Sequence, residues 1–199
     1  MLRQSIFRLW AAMAFITLML AAAPRAGAQE VALKTNLFYD ATLTANIGAE
    51  VAVAPRWSID LSGNLNAWTV GSDKRWKHWM IHPEARYWFC EAIGGHFVGA
   101  HLLGGQYNFG GIHLPDFLGS NLSELRHNRF EGWYGGIGVA YGYSWMLSRH
   151  WNFEAEIGFG WAYASYNKYP CATCGTRTDK GHHNYVGPTK AALNLVYVF

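Results

Sequence analysis

Three kinds of feature are scarce in this sequence. Cysteine occurs only as Cys90, Cys171 and Cys174, and none stands directly after the N-terminal apolar stretch, which argues against a lipoprotein anchor. Beyond residue 28 no stretch carries the ~18 consecutive apolar residues that a membrane-spanning helix needs. Net charge is missing as well. The chain has 16 Lys+Arg against 13 Asp+Glu, but Arg3, Arg8 and Arg25 all lie within residues 1–28, which hold no acid. The remainder balances at 13 of each sign, which excludes the basic footprint of a nucleic-acid binder. There is also no G-x-S-x-G nucleophile elbow.

The first 28 residues have the layout of an export signal. Arg3 and Arg8 precede an apolar run from Leu9 to Ala23, and Ala26-Gly27-Ala28 is a small-residue cleavage site before Gln29. The expected organisation is a cleaved signal peptide over 1–28 and one domain over 29–199, in an exported, oxidising compartment.

That domain is written in period-two alternation. Side chains alternate faces along a strand. From Trp133 to Trp145 one face reads Trp133, Gly135, Ile137, Val139, Tyr141, Tyr143 and Trp145, and between them stand Tyr134 and then the small residues Gly136, Gly138, Ala140, Gly142 and Ser144. After a turn at Ser148-Arg149-His150, Trp151, Phe153, Ala155, Ile157, Phe159, Trp161 and Tyr163 share a face. Asn152, Glu154, Glu156, Gly158 and Gly160 share the other. Large apolar faces ending in aromatics suit lipid with an interfacial girdle, and small or charged faces suit a crowded lumen. The content of 51% hydrophobic and 16% aromatic residues with 22 Gly, at a mean hydropathy of −0.04, agrees with this alternation.

Read in order, eight strands emerge: Val31–Tyr39, a second ending at Val53, Trp57–Ala67, about His78–Phe89, His96–Phe109, the two of the central hairpin, and Lys190–Phe199. Pro83 interrupts the fourth, because it offers no ladder donor. In the fifth, Val98, Ala100 and Leu102 face one way and Tyr107 and Phe109 the other, so a bulge at Gly104-Gly105 is expected. The expected loops are Trp68–Lys77, Gly110–Gly132 and Asn167–Pro188. Short and long connections alternate, with only the first breaking the contrast. That alternation matches the periplasmic and extracellular ends of an outer-membrane barrel with both termini periplasmic. The fold class is therefore all-β, an eight-stranded antiparallel transmembrane β-barrel. Leu195, Tyr197 and the terminal Phe199 form an alternating aromatic ending that resembles the signal read by the outer-membrane assembly machinery.

With these faces, Lys34, Glu50, Asp60, Glu84, Arg86, Glu154, Glu156 and Lys190 point inward. An eight-stranded barrel is only wide enough to be filled by side chains, and buried charges must pair. The expectation is a charge network around Arg86 with Glu84, Glu154 or Glu156 as partners. It outweighs paired catalytic carboxylates, because a filled lumen admits no substrate. Ser148 beside His150 is a turn pair rather than a hydrolase site, so no catalytic residue, cofactor or metal is expected. His78, His82, His96 and His101 read as rim and lumen fillers. Cys171-Ala-Thr-Cys174, with His182 and His183 nearby, leaves a loop disulfide, a metal site and free thiols open. The disulfide is preferred in an oxidising exterior. Cys90 is then a free thiol.

The stretches Lys34-Thr-Asn-Leu-Phe-Tyr-Asp-Ala-Thr-Leu-Thr, Trp57-Ser-Ile-Asp-Leu-Ser-Gly-Asn, Trp76-Lys-His-Trp, Pro83-Glu-Ala-Arg-Tyr-Trp-Phe-Cys and His96-Phe-Val-Gly-Ala-His resemble one family. It comprises small outer-membrane proteins of Bacteroidetes-type bacteria, catalogued as a domain of unknown function. The resemblance covers the mature chain. It implies an outer-membrane barrel with a signal peptide, no established enzymatic site, and a link in some relatives to fimbrial or surface-assembly genes. OmpA-like proteins with a similar barrel often add a peptidoglycan-binding domain, an activity not expected of a chain ending at Phe199. The expected role is non-enzymatic, structural or surface-interacting through the extracellular loops. The expected partners are outer-membrane lipid, the barrel assembly machinery and an extracellular or fimbrial protein. An enzyme acting on lipid or glycolipid, and a small pore or ligand-binding barrel, are the alternatives.

Overall fold

The computed structural model describes residues 30–70, 74–112, 125–126, 128–170 and 175–199. The leader and the pair Cys171 and Cys174 lie outside the described residues. In chain order the elements are β1 (Val31–Asn36), α1 (Leu37–Ala41), β2 (Ala45–Ala54), β3 (Trp57–Asn66), the two-residue β4 (Thr69–Val70), β5 (Lys74–Trp88), β6 (Gly95–Gly110), β7 (Arg129–Met146), β8 (Trp151–Tyr169) and β9 (Asp179–Val198). Every pairing is antiparallel. The order runs β3-β2-β1-β9-β8-β7-β6-β5, and β3 also pairs with β5 from Trp57↔Tyr87 to Asn66↔His78. Eight strands thus make one sheet closed into a ring, with β4 a hairpin tip on β5. Closure pairs the strand edges that an open sheet would leave bare.

Alternation decides the faces. On β3, Ser58, Asp60, Asn64 and Asn66 are buried, while Trp57, Ile59, Leu61 and Leu65 between them are exposed. The same holds on β8, where Asn152, Glu154 and Glu156 are buried and Trp151, Ile157, Phe159 and Trp161 exposed. The outside of the ring is apolar and the inside is polar, the reverse of a water-soluble sandwich. Connections 55–56, 89–94 and 147–150 lie at one end with Glu30 and Phe199. The longer connections leave β1, β3, β6 and β8 at the other end and return to β2, β5, β7 and β9 there. Among the described residues no helix is long and apolar enough to cross a membrane.

Four local expectations are corrected. The first strand ends at Asn36, whose side chain accepts from the Phe38 N–H at 3.1 Å and caps α1, so Leu37 and Tyr39 are helical rather than strand. The β5 strand starts at Lys74 rather than near His78 and runs through Pro83. Its register with β6 skips His82 and Pro83, where the ladder lacks a donor. No bulge occurs at Gly104-Gly105, and the β6–β7 register is unbroken from Gly95↔Ser144 to Gly110↔Arg129. Tyr107 and Phe109 therefore keep the inward parity of Phe97 and His101, stacking with each other at 5.5 Å. The irregularity lies instead in β9, where Gly158 faces Lys190 and Phe159 faces Pro188, leaving Thr189 as the extra residue. Finally, most of Asn167–Pro188 is strand: β8 reaches Tyr169 and β9 begins at Asp179.

Candidate functional site

The interior is layered. At the short-connection end the turn at 89–94 folds inward, and Ile93 is buried against Ala32 and Val196. Its carbonyl accepts from Ser144 Oγ at 3.2 Å and Asn152 Nδ2 at 2.9 Å. Ile93 holds φ at 65°, in the left-handed region that β-branched residues avoid. Above it lie Trp88 and Phe97, both fully buried with ring centroids 4.6 Å apart. Trp88 Nε1 donates to Ser58 Oγ at 2.7 Å, and Ser58 Oγ donates to Glu50.

Next comes the charge layer. In register across β2, β3 and β5, Glu50, Asp60 and Glu84 lie side by side, an arrangement that repels itself unless cations intervene. Lys34 Nζ lies 2.5 Å from Glu50, 2.9 Å from Asp60 and 3.6 Å from Glu154. Arg86 uses its guanidinium against four carboxylates: Glu84 at 2.8 Å, Glu50 at 2.8 Å, Glu154 at 3.0 Å and Glu156 at 2.8 Å. Lys190 reaches from β9 to Glu84 at 2.6 Å and Glu156 at 3.0 Å. All eight inward charges singled out in the sequence therefore meet in one network. Asn194 also donates to Glu154 at 2.7 Å, and Arg86 lies 4.4 Å over the Phe97 ring.

Small residues make room for these groups. A Cβ at Gly99 would lie 2.2 Å from Glu84 Oε1, and one at Gly48 2.6 Å from Lys34 Cγ. His101 sits between Gly138 and Gly158, where added Cβ atoms would approach it to 2.5 and 2.8 Å. Its Nε2 lies 2.9 Å from Thr189 Oγ1, and its ring meets His82 at 4.7 Å. Beside this pair a cavity of about 270 Å³ is lined by Lys34, Asp60, Asn64, His82, Lys190 and Asn194, among others. Among the described residues His82, Glu84 and His101 are the group whose donor atoms converge as metal ligands would.

The long-connection end differs in character. Trp76, His78, Tyr107 and Phe109 pack ring on ring inside it. A second cavity of about 490 Å³ is bordered by Lys77, His78, Asn108, Glu131 and Asn167. Glu131 accepts from Asn108 Nδ2 at 3.2 Å and from the Tyr169 hydroxyl at 2.7 Å. That hydrogen bond raises the Tyr169 phenol above its ordinary value. Arg129 lies 4.1 Å over the Tyr169 ring.

The other residues singled out in the sequence fall elsewhere. Leu195 and Tyr197 are half-buried on the outer face and Phe199 is exposed. The Phe199 N–H donates to the Val31 carbonyl at 2.9 Å, tying the last residue to β1. Cys90 is an exposed free thiol. His150 Nδ1 lies 2.9 Å from the Val198 carbonyl, and its ring stacks on Tyr197. His182 and His183 belong to β9, opposite Ser165 and Ala164. Trp88, Phe97 and Glu131 were not singled out. Parity alone places Trp88 inward, between Tyr87 and Phe89.

A family model described as "Protein of unknown function (DUF3575)" matches residues 14–199. The chain belongs to this family. No curated protein matches it. The DUF3575 match spans every strand of the ring and all eight charges of the interior network.

Proposed function

We propose that this member of the DUF3575 family is an outer-membrane β-barrel. Its role is structural or surface-interacting rather than enzymatic, with the termini in the periplasm and the long connections outside the cell. The carrying observation is the outer face. Ile47, Leu61, Ile81, Leu102, Val139 and Phe159, from six different strands, are each half or more exposed. An apolar belt around a whole ring far exceeds the patch of a few hundred Å² that a water-soluble monomer carries.

Aromatics frame that belt. At the short-connection end ring contacts run Trp57–Tyr87–Phe89–His96–Tyr143–Trp145–Phe153, each at 6.3 Å or less, with Trp151–Tyr197–Phe199 continuing round. Trp79, Trp133 and Trp161 are exposed toward the other end. On β8 the rise from Trp151 to Trp161 is ~33 Å along the strand. A tilt of ~40° turns that into about 25 Å of height, the apolar band of an outer-membrane barrel. The Phe199 ending suits recognition by the barrel assembly machinery.

The interior supports a non-conducting, non-catalytic body. Ile93, the Trp88–Phe97 pair and the Arg86 network fill successive layers, and each carboxylate of the network already faces a cation. The surface role falls to the long-connection end, where β6 to β9 outreach β1 to β3. There the cleft bordered by His78, Asn108, Glu131 and Asn167 offers aromatic and polar groups to a partner such as an extracellular or fimbrial protein.

The test is heat-modifiability of the outer-membrane fraction on a denaturing gel, unheated and boiled. A closed barrel resists detergent until heated, because its strand edges are paired. A mobility shift in that fraction is expected. A protein found soluble in the periplasm, with no shift, overturns the reading.

A further inference from the structure

We propose that His82, Glu84 and His101 bind a divalent transition-metal ion of the zinc class inside the ring. The site does not depend on where the ring resides. One donor atom from each residue lies within 4.8 Å of those of the other two. All three are buried, His82 at 3% exposure, Glu84 at 2% and His101 at 1%.

Three observations point to a ligand. First, two ring nitrogens are orphaned. His82 Nε2 and His101 Nδ1 are buried without a hydrogen-bond partner, and His101 Nδ1 faces Glu84 Oε2 at 3.9 Å. Buried polar atoms are seldom left unpaired, since each costs the full desolvation of that group. Second, the other nitrogen of His101 is already held. Its Nε2 lies 2.9 Å from Thr189 Oγ1, the outer hydrogen bond that fixes the orientation of a metal-ligating imidazole. Third, the charge layer is unbalanced. Lys34, Arg86 and Lys190 face Glu50, Asp60, Glu84, Glu154 and Glu156. Five carboxylates face three cations, so the layer holds more acidic groups than basic ones, and a dication adds positive charge there.

The backbone is irregular where the site needs room. The β5–β6 ladder lapses at His82 and Pro83 without a change of register, and a bulge in β9 presents Thr189. Bulges of this kind re-aim side chains next to functional sites. Two imidazoles and one carboxylate are a donor set for zinc and its neighbours rather than for calcium or magnesium. Bonds of ~2.0–2.2 Å to a tetrahedral ion bring the donors to roughly 3.4 Å apart. Reaching that separation from as much as 4.8 Å takes up to about 1.4 Å of closure by the ring and carboxylate torsions. The adjoining cavity of about 270 Å³, which His82, Thr189 and Lys190 help to line, has room for a water as the fourth ligand. Lys190 keeps Glu156 as its partner at 3.0 Å when the metal takes its share of Glu84.

The test uses untagged full-length protein in detergent, stripped with a chelator and titrated with cobalt(II) chloride and then zinc chloride. The expected result is one equivalent of cobalt giving a visible ligand-field band, displaced by zinc, with a raised unfolding temperature in zinc. His82→Gln and His101→Gln should each abolish the band, whereas His182→Ala/His183→Ala should leave it. Thr189→Val, which keeps the three donors, should weaken affinity ten- to a hundredfold. Absence of saturable binding by the unsubstituted protein overturns the site, whatever the variants do. A band lost in the His182/His183 variant but kept without His82 or His101 does so too. Because binding is read on purified protein, its failure leaves the membrane reading untouched.

Discussion

The Nη2 atom of Arg86 lies 2.8 Å from Glu156 Oε2, joining β5 to β8 across the inside of the ring. Its Nη1 holds Glu50 on β2 and Glu154 on β8 in the same way. One guanidinium therefore ties β5 to β8, which the backbone ladder joins through β6 and β7, and to β2, one strand removed through β3. Its planar fork of five donors suits this, where an ammonium would act as a single point charge.

Replacing Arg86 with Met should strongly destabilise the ring. Four carboxylates lose their shared partner, and breaking a buried pair by removing one member costs about 3–5 kcal/mol. Lys in its place should recover only part of the loss. The urea midpoint of the heat-modifiable form measures both. A Met variant as stable as the parent means that the network does not hold the ring.

The small inward face should tolerate no growth. Gly99→Ala puts a Cβ on Glu84 Oε1, and Gly138→Ala puts one near His101 Nε2 and 2.7 Å from the Phe159 carbonyl. Each should cost about 1–3 kcal/mol, as overpacked sites do. Ala100→Leu, one position along on the exposed face, should be near neutral. Equal midpoints for the inward and outward variants would contradict this assignment of faces.

Those faces were legible because the side-chain period is two, so one correct residue fixes its strand. Lys34, Glu50 and Asp60 were placed inward by neighbours such as Leu33, Val51 and Ile59, and the eight charges came together because those parities agree. Their partners were less legible: Arg86 takes Glu50 as well as the three expected, a matter of reach across the ring. The alternation misled where both faces are aromatic. Tyr107 and Phe109 look like a lipid-facing pair, yet inside the ring Phe109 packs on Trp76 and His78, and Tyr107 on Phe109 and Tyr134, because the same residue types fill a wide interior and suit a lipid-facing surface. Past Asn167 the two strands project where neither face has to be apolar, so pairing leaves no pattern. The helix at Leu37–Ala41 depends on the Asn36 cap, a local competition that strand periodicity does not report.

The proposed lipid around the belt would leave a depth signature. Leu61, midway along β3 between Trp57 and Leu65, should be the costly position for a charge. Leu61→Arg is expected to destabilise by about 2–4 kcal/mol in a bilayer, and Trp57→Arg, at the rim, by about 0–1 kcal/mol. Reversible unfolding in lipid vesicles gives both values. Equal costs at the two positions would remove the membrane from the account of the outer face.

Cys90 can report which end faces the periplasm. It is exposed in the connection at 89–94, at the same end as Phe199. Cys171→Ser and Cys174→Ser leave it as the only thiol in the chain. A membrane-impermeant maleimide should then fail to label intact cells and should label them once the outer membrane is permeabilised. Labelling of intact cells would turn the ring over, putting the short connections outside. Without the two serines, thiol labelling of the unreduced, denatured protein should find Cys90 alone reactive, since Cys171 and Cys174 are expected to be bridged in an oxidising exterior. Three reactive thiols would remove the bridge but not the topology, because the two experiments read different cysteines.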